Sequence, residues 1–182
     1  MTTFDERETR ALAGLYERDQ QVRDARPDPA VATAATRPGL SLADYFATLV
    51  DGYADRPALG ERTTESITDP ATGRTSSRRL ARFDTISYRD LGNRVETVAA
   101  EWHWDGLREN DLVALLGAAS IDYTTVLLAC TRLAATAVPL QANATDLGPI
   151  IEETGPRILA ASIELLATAA DLAAGKIGRA HV

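Results

Sequence analysis

The chain has 182 residues, of which 45% are hydrophobic, and its formal net charge is −7. This length suits one domain with an apolar core, whereas the negative charge argues against nucleic acid or an anionic membrane as the main partner. No apolar run approaches the roughly 20 residues of a membrane span, and the acidic N-terminus MTTFDERETR is unlike a secretory signal. We therefore expect a cytoplasmic protein, and the single cysteine, Cys130, excludes an intrachain disulfide.

Two helices are predicted before residue 54. Thr3 and Glu6 form a capping box for the first helix, the cluster Pro27-Asp28-Pro29 ends it, and the stretch up to Gly39 is predicted to be extended or loop. Ser41 begins the second helix. Its apolar residues recur at helical spacing on one side: Leu42, Tyr45, Phe46, Leu49, Val50 and Tyr53.

A polar β-hairpin follows, with arms from Ala58 to Ile67 and from Arg74 to Ser87 joined by a turn over Asp69–Gly73. The hydroxyl-rich residues at the turn suggest a phosphate-binding loop as one alternative: Thr72, Gly73, Thr75, Ser76 and Ser77. A solvated turn is favoured, because no lysine or paired glycines accompany them.

Ser87 is predicted to cap a third helix, whose apolar positions face the core: Leu91, Val95, Val98, Ala99 and Trp102. His103 has no second histidine, cysteine or aspartate at ligand spacing, so it is interpreted as a residue of the helix end. Trp102 and Trp104 suggest a ligand platform, but core packing is the favoured role of Trp102.

A strand–helix–strand unit spans residues 112–140. The apolar run Leu112-Val113-Ala114-Leu115-Leu116 is typical of a strand buried on both faces of a parallel sheet. Ser120 caps a helix that is apolar almost all round from Ile121 to Leu133, which predicts a buried helix. Residues 137–140 form the second strand, with Pro139 near its end. The fold class is therefore α/β.

The rest of the chain extends this pattern. A helix over 145–154 is closed by Gly155-Pro156, residues 157–161 form a third strand, and a last helix runs from Ser162 through Leu172. The adjacent carboxylates Glu152 and Glu153 do not face one another on a helix, so we interpret them as a solvated face.

The final seven residues, KIGRAHV, differ in composition from everything before them. Lys176 is the only lysine in the chain, and the segment resembles one reading frame of a common sequencing-library adapter. We therefore predict that residues 176–182 are a non-native, adapter-derived tail and that residues 1–175 are a fragment of a longer protein.

Two segments resemble the first two core motifs of the adenylate-forming (AMP-binding) superfamily: Ile86–Leu91 (ISYRDL) and Leu127–Leu140 (LLACTRLAATAVPL). The segment from Asp51 to Leu91, together with Ala25–Val31, is similar to the N-terminal region of actinobacterial carboxylic acid reductases. The sequence departs from that pattern at Gly92, where a large apolar residue is usual, and at Ala134-Ala135, where a Gly-Ala pair is usual.

The resemblance implies a truncated N-terminal part of an adenylate-forming domain, with βαβ units in a mainly parallel sheet preceded by helices and the polar hairpin. The parent enzyme would use ATP and Mg²⁺ to convert a small-molecule carboxylic acid into an acyl-AMP. A downstream carrier domain with phosphopantetheine would take the acyl group, and an NADPH-dependent reductase domain would release an aldehyde.

No catalytic, cofactor-binding or metal-binding residue is assigned within this chain. Residues 1–175 contain no lysine and neither a GxxxxGK nor a GxGxxG pattern, and the resemblance places the family's phosphate loop and catalytic lysine beyond them. The fragment is therefore predicted to be inactive alone. Two alternatives remain open: a fragment of an acyl-CoA ligase or peptide-synthetase adenylation domain, and a small non-enzymatic α/β binding module. The adapter-like tail argues against the binding module, and the likeness over Asp51–Leu91 favours the reductase.

Overall fold

Three helices form the first of two compact units, Met1–Leu40. The computed structural model describes residues 4–141, 143–144, 146–174 and 179–181 of the chain. Within this first unit the helices are α1 (Phe4–Arg18), α2 (Gln20–Asp24) and α3 (Pro29–Ala35). The capping box predicted for α1 depends on Thr3, which lies outside the described residues.

Helix α3 corrects the prediction of an extended or loop segment up to Gly39. The Asp28 carboxylate accepts hydrogen bonds from the amides of Ala30 (2.8 Å) and Val31 (3.2 Å) and so caps the helix. Pro29 lies in the first turn, where its fixed φ suits a helix and no amide proton is needed. Asp28 and Pro29 belong to the cluster that is predicted to end the first helix, but they begin a new one.

The second unit, Ser41–Val182, begins with a helix and a long hairpin. The elements are α4 (Leu42–Gly52), β1 (Pro57–Thr68), β2 (Thr75–Ser87) and α5 (Tyr88–Trp104). Ser41 and Ser87 cap α4 and α5 as predicted, each within a complete capping box whose acidic partner is three residues further on. The strands of the hairpin are antiparallel, with Glu65 opposite Arg78, and the register shifts between Arg62 and Thr64.

A parallel sheet follows, and its strands are β3 (Leu112–Leu116), β4 (Thr136–Leu140), β5 (Ile158–Ala161) and β6 (Arg179–His181). Their spatial order is β4-β3-β5-β6, and each pair is parallel. The three predicted strands are present, and the short β6 lies among the residues predicted to be a tail. The connecting elements are α6 (Ile121–Arg132), α7 (Gly148–Thr154), a 3₁₀ turn (Ile163–Leu165) and α8 (Leu166–Ala173).

Strand β3 is buried on both faces, as its continuous apolar run predicted. Val113 and Leu115 point into a core formed with α5 and α6, which includes Trp102, Leu107, Ala129, Cys130 and Ile158. Ala114 and Leu116 point into a second core on the opposite face, formed with α7 and α8 and including Leu147, Ile151, Leu159 and Ala169. The sheet therefore lies between two layers of helices. No helix in the described part of the chain is long and apolar enough to cross a membrane.

Helix α6 is buried on one side only, which corrects the prediction of a helix buried all round. Its buried residues are Thr125, Ala129 and Cys130, whereas the side chain of Leu127 is 37% exposed. The helix packs on the sheet and against α5, and these neighbours cover one face of it. Helix α7 also begins later than predicted, at Gly148, where the Asp146 carboxylate accepts a hydrogen bond from the Gly148 amide (3.3 Å).

Candidate functional site at the carboxyl edge of the sheet

The carboxyl ends of the parallel strands lie at one edge of the sheet, which is where α/β folds commonly bind ligands. Gly117 follows β3, Gln141 follows β4 and Ser162 follows β5. The amide of Ser162 donates a hydrogen bond to the carbonyl of Leu116 (2.9 Å), which joins two of these strand ends. A β-carbon at Gly117 would lie 3.4 Å from Tyr123 and 3.5 Å from Ser162, which are ordinary van der Waals distances, so the loops after β3 and β5 lie side by side here.

A cleft of about 190 Å³ opens where the loop after β3 meets the hairpin. It is lined by Leu59, Gly60 and Glu61 of β1 and by Ala119, Ser120, Ile121 and Thr124 at the start of α6. Ser120 caps α6, because its hydroxyl accepts a hydrogen bond from the amide of Tyr123 (2.9 Å). A typical pocket for a drug-sized ligand has about 300–1,000 Å³, so this cleft is smaller than such a pocket.

The N-terminus of α6, which would attract an anionic group, is occupied by a side chain of the protein itself. The Glu61 carboxylate accepts a hydrogen bond from the amide of Ile121. In the hairpin register Glu61 lies opposite Asp84. Two like charges directly opposite each other are unfavourable in a sheet, and the partial positive charge at the helix N-terminus offsets that cost. The arrangement attaches the hairpin to α6 and leaves a carboxylate where a phosphate would otherwise bind.

The structure supports the solvated-turn interpretation of the hydroxyl-rich segment. Asp69 holds the turn, because its carboxylate accepts hydrogen bonds from the Ala71 amide (2.8 Å) and the Thr72 hydroxyl (2.7 Å). These bonds, the Thr72 hydroxyl first, lower the pKa of Asp69 below its ordinary value. Gly73 adopts a φ of +67°, and its amide donates to the Asp69 carbonyl (2.8 Å). The polar groups of the turn therefore bond to one another.

The other candidate residues lie apart from this edge. Trp102 is 2% exposed and belongs to the core, as predicted, whereas Trp104 is 90% exposed at the end of α5. His103 is also exposed, and both Glu152 and Glu153 lie on the exposed side of α7. The structure brings none of these side chains into the cleft.

Cys130 is a core residue and is unsuited to nucleophilic chemistry. Its side chain is buried between α6 and the sheet, and burial raises the pKa of the thiol to about 12. Because the thiolate is the reactive form, this cysteine is protonated and shielded at neutral pH.

Metal ligands and phosphate-binding cations are both sparse in the part of the chain that the structure describes. The described residues contain no group of three or more histidine, cysteine, aspartate or glutamate residues arranged to hold a metal ion. Residues 1–175 also have no lysine that could neutralise a transferring phosphate, and Glu61 would repel a phosphate from the N-terminus of α6. That this chain contributes no catalytic residue remains a prediction.

Sequence reasoning did not identify the contact between Glu61 and α6. Glu61 and Ile121 are separated by 60 positions. No periodic or capping pattern relates a glutamate in a polar strand to such a distant helix. One weak indication was present in the sequence: no glutamate or glutamine stands three residues after Ser120 to complete a capping box. Some backbone amides at the start of α6 therefore have no partner close in sequence.

Comparison with known proteins agrees with this architecture. The model of the AMP-binding enzyme family matches residues 55–180. A carboxylic acid reductase from Mycobacterium tuberculosis is 43% identical over 178 residues, which cover 96% of this chain and 15% of that protein. The chain therefore spans a small part of the curated relatives it matches.

Solved structures show the same relationship. The adenylation domain of a carboxylate reductase from Mycobacterium chelonae matches with a TM-score of 0.81 and 38% identity, over all of this chain and 30% of that one. The adenylation domain of the Segniliparus rugosus reductase, solved with AMP and a co-purified carboxylic acid, matches with a TM-score of 0.81 and 39% identity, over 92% and 27% of the two chains. The chain thus belongs to the AMP-binding enzyme family, and within it is similar in sequence and fold to the adenylation domains of carboxylic acid reductases.

Proposed function

We propose that residues 1–175 are the N-terminal portion of the adenylation domain of a cytoplasmic carboxylic acid reductase, and that residues 176–182 are a non-native tail. The parent enzyme would activate a carboxylic acid with ATP and Mg²⁺ to an acyl-AMP. A phosphopantetheine arm on a downstream carrier domain would accept the acyl group as a thioester. A reductase domain would then use NADPH to release the aldehyde.

The observation that carries this proposal is the identity of 43% maintained over 96% of the chain. Such coverage includes the polar hairpin and the first unit as well as the parallel sheet. It therefore favours the reductase over the alternative of an acyl-CoA ligase or a peptide-synthetase adenylation domain. The role of this portion is structural: it supplies a parallel sheet covered by helices, on which groups from elsewhere in the enzyme are positioned.

A chimera tests the proposal. Residues 1–175 would replace the matching segment of the Mycobacterium tuberculosis reductase, and acid-dependent ATP–pyrophosphate exchange and NADPH-dependent aldehyde formation would be measured. We expect both activities, because the inserted segment provides the same scaffold. The same chimera carrying Trp102→Asp is the matched control and should lose both, since a charge would replace a side chain that is 2% exposed.

The 182-residue chain alone should show only background pyrophosphate exchange. Exchange above background in the purified chain would contradict the view that it is a scaffold. A chimera with native circular dichroism but no exchange would contradict its assignment to the reductase. The proposed tail is tested separately by sequencing genomic DNA past the codon for Gly175. Recovery of codons for KIGRAHV followed by a stop would overturn that part of the proposal.

A further inference from the structure

The outer part of the hairpin projects as an exposed arm, which we define as residues 66–79. Every residue of this arm is exposed, on both faces of the two strands. The hydrogen bonds of Asp69 fix its turn, and the hydroxyls of Thr68 and Thr75 are 3.0 Å apart across the strands. The arm is therefore held by hydrogen bonds of its own and is not packed against the core.

The arm is positively charged although the chain is acidic. It contains three arginines and one aspartate, a net charge of +2, whereas the formal charge of the whole chain is −7. All other residues together therefore carry −9. The one aspartate, Asp69, is engaged with the turn, as described above. Of the three arginines, Arg78 forms an ion pair with Glu65. Arg74 and Arg79 have no ion-pair partner among the residues that the structure describes.

One face of the hairpin has no carboxylate. Residues that are partners in the register share a face, and on this face Arg79 lies opposite Thr64. The remaining register partners on that face are small hydroxyl residues nearer the turn: Ser66, Ser77, Thr68 and Thr75. Beyond the register shift, a cation–aromatic pair of Arg62 and Phe83 lies closer to the body. The Arg62 guanidinium lies 5.1 Å from the centre of the Phe83 ring, which is itself more than half exposed.

Both long edges of the arm are open. Within the described residues β1 and β2 form a sheet of two strands, so no third strand covers either edge. Open edges can accept an additional strand through main-chain hydrogen bonds. Arginines beside an edge prevent two copies of the same arm from pairing, because like charges would meet. They favour a strand with carboxylates, which guanidinium groups bind in a bidentate manner.

We propose that the arm is a docking site for an acidic, extended protein segment, which adds a strand to an open edge and pairs its carboxylates with Arg74 and Arg79. A nucleic acid is the less suitable anion, because the −9 charge of the other residues repels a polyanion that extends beyond the arm. A short acidic strand contacts the arm alone and avoids that repulsion.

The test uses the 182-residue chain and three fluorescent probes of about ten units each: a peptide in which pairs of glutamates alternate with pairs of threonines, the same peptide with glutamine, and oligo-dT. Paired glutamates place carboxylates on both faces of an added strand, so that one strand can meet both Arg74 and Arg79. Fluorescence anisotropy would be measured at ionic strengths of about 0.01 M and 0.1 M, where the Debye length is about 30 Å and 10 Å. We expect the glutamate peptide to bind more tightly than the other two, and more weakly at the higher ionic strength.

The double variant Arg74→Glu/Arg79→Glu should bind the glutamate peptide at least about tenfold more weakly, the loss expected for two reversed ion pairs. Arg18→Glu/Arg37→Glu makes the same change in net charge at exposed residues outside the arm and should change the affinity by less than about threefold. Because all four side chains are exposed, folding should be unaffected, and circular dichroism would verify this.

Amide hydrogen exchange gives an independent measurement on the unaltered chain, in which the peptide should slow the exchange of amides along one edge of the arm. Equal losses in the two double variants would overturn the proposal. So would equal binding of the glutamine peptide, preferential binding of oligo-dT, absence of binding at low ionic strength, or protection located outside the arm.

Discussion

Replacing Ala134 by glycine should stabilise the protein, because this alanine holds a backbone conformation that suits glycine. Helix α6 ends in a Schellman motif, in which the amide of Ala134 donates to the carbonyl of Thr131 (3.2 Å) and the amide of Ala135 donates to the carbonyl of Cys130 (2.9 Å). The motif places Ala134 in the left-handed region, with a φ of +52°. The family pattern has glycine at this position.

The size of the effect follows from two opposing terms. A residue with a β-carbon pays about 1–2 kcal/mol in the left-handed region, and glycine avoids that cost. In the opposite direction, glycine has more conformational freedom in the unfolded chain, which lowers the free energy of unfolding by about 0.5–1 kcal/mol. The Ala134 side chain is exposed, so its removal loses no buried contact. We therefore expect Ala134→Gly to raise the free energy of unfolding by about 0.5–1 kcal/mol, or roughly 1–4 °C in Tm for a chain of this size.

Urea and thermal unfolding followed by circular dichroism would measure this difference. Ala100→Gly is the matched control, because Ala100 is also exposed but lies within α5, where glycine costs about 1 kcal/mol. Ala134→Val should destabilise, since a β-branched residue is poorly accommodated at positive φ. The reasoning would be refuted if both glycine variants lowered the stability equally, because backbone conformation would then not distinguish the two sites.

Three further predictions concern other named contacts. Gly92→Leu should lower the free energy of unfolding by about 1–3 kcal/mol, since even a β-carbon there would lie 2.8 Å from Val50, and Val50→Ala in the same chain should recover part of the loss. Cys130 should react with iodoacetamide at pH 8 only as fast as the protein unfolds, because burial raises the pKa of its thiol to about 12; rapid labelling of the folded chain would contradict this. Ser87→Ala should cost about 1 kcal/mol through loss of the helix cap. The hydrogen bond from the Ser87 hydroxyl lowers the pKa of Asp90 in the folded chain. The bond therefore stabilises the fold fully above the ordinary aspartate pKa, and this stabilisation is lost as the pH falls through the lowered pKa. The variant should therefore lose less stability on acidification than the unaltered chain, as urea titrations across that pH range would show.

Local chemistry made much of this fold predictable. Ser41 and Ser87 begin helices because their hydroxyls and the acids three residues later satisfy free amides within a single turn. Gly155 ends α7 with a φ of +56°, which glycine adopts without strain. The run from Leu112 to Leu116 identified a strand buried on both faces, because no polar residue interrupts it. In each case the deciding interaction lies within a few residues.

The errors arose where distant parts of the chain decide the outcome. Composition around Leu127 indicates a helix buried all round, but how much of α6 is covered depends on what packs against its outer side. The link between Glu61 and Ile121 is equally invisible in the sequence, because 60 residues separate the partners. No catalytic residue was assigned for a different reason: residues 1–175 contain no lysine and no glycine-rich loop that could bind a phosphate.

Two departures from the family pattern, at Gly92 and at Ala134, have different physical consequences. At Gly92 the departure is accommodated, because Val50 of α4 occupies the space that a larger residue on α5 would need, and the two helices pack closely there. At Ala134 nothing compensates, and the motif keeps its hydrogen bonds at the cost of a strained alanine. Asn110 is intermediate: its φ is also positive, at +66°, but asparagine tolerates this region better than alanine. The amide of Asn110 donates a hydrogen bond to the carbonyl of Ala134 (2.9 Å), and this bond joins the two turns that contain the left-handed residues. A smaller side chain, as at Gly92, is therefore tolerated when a neighbouring side chain fills the space. A left-handed backbone conformation, as at Ala134, is required whichever residue occupies the position.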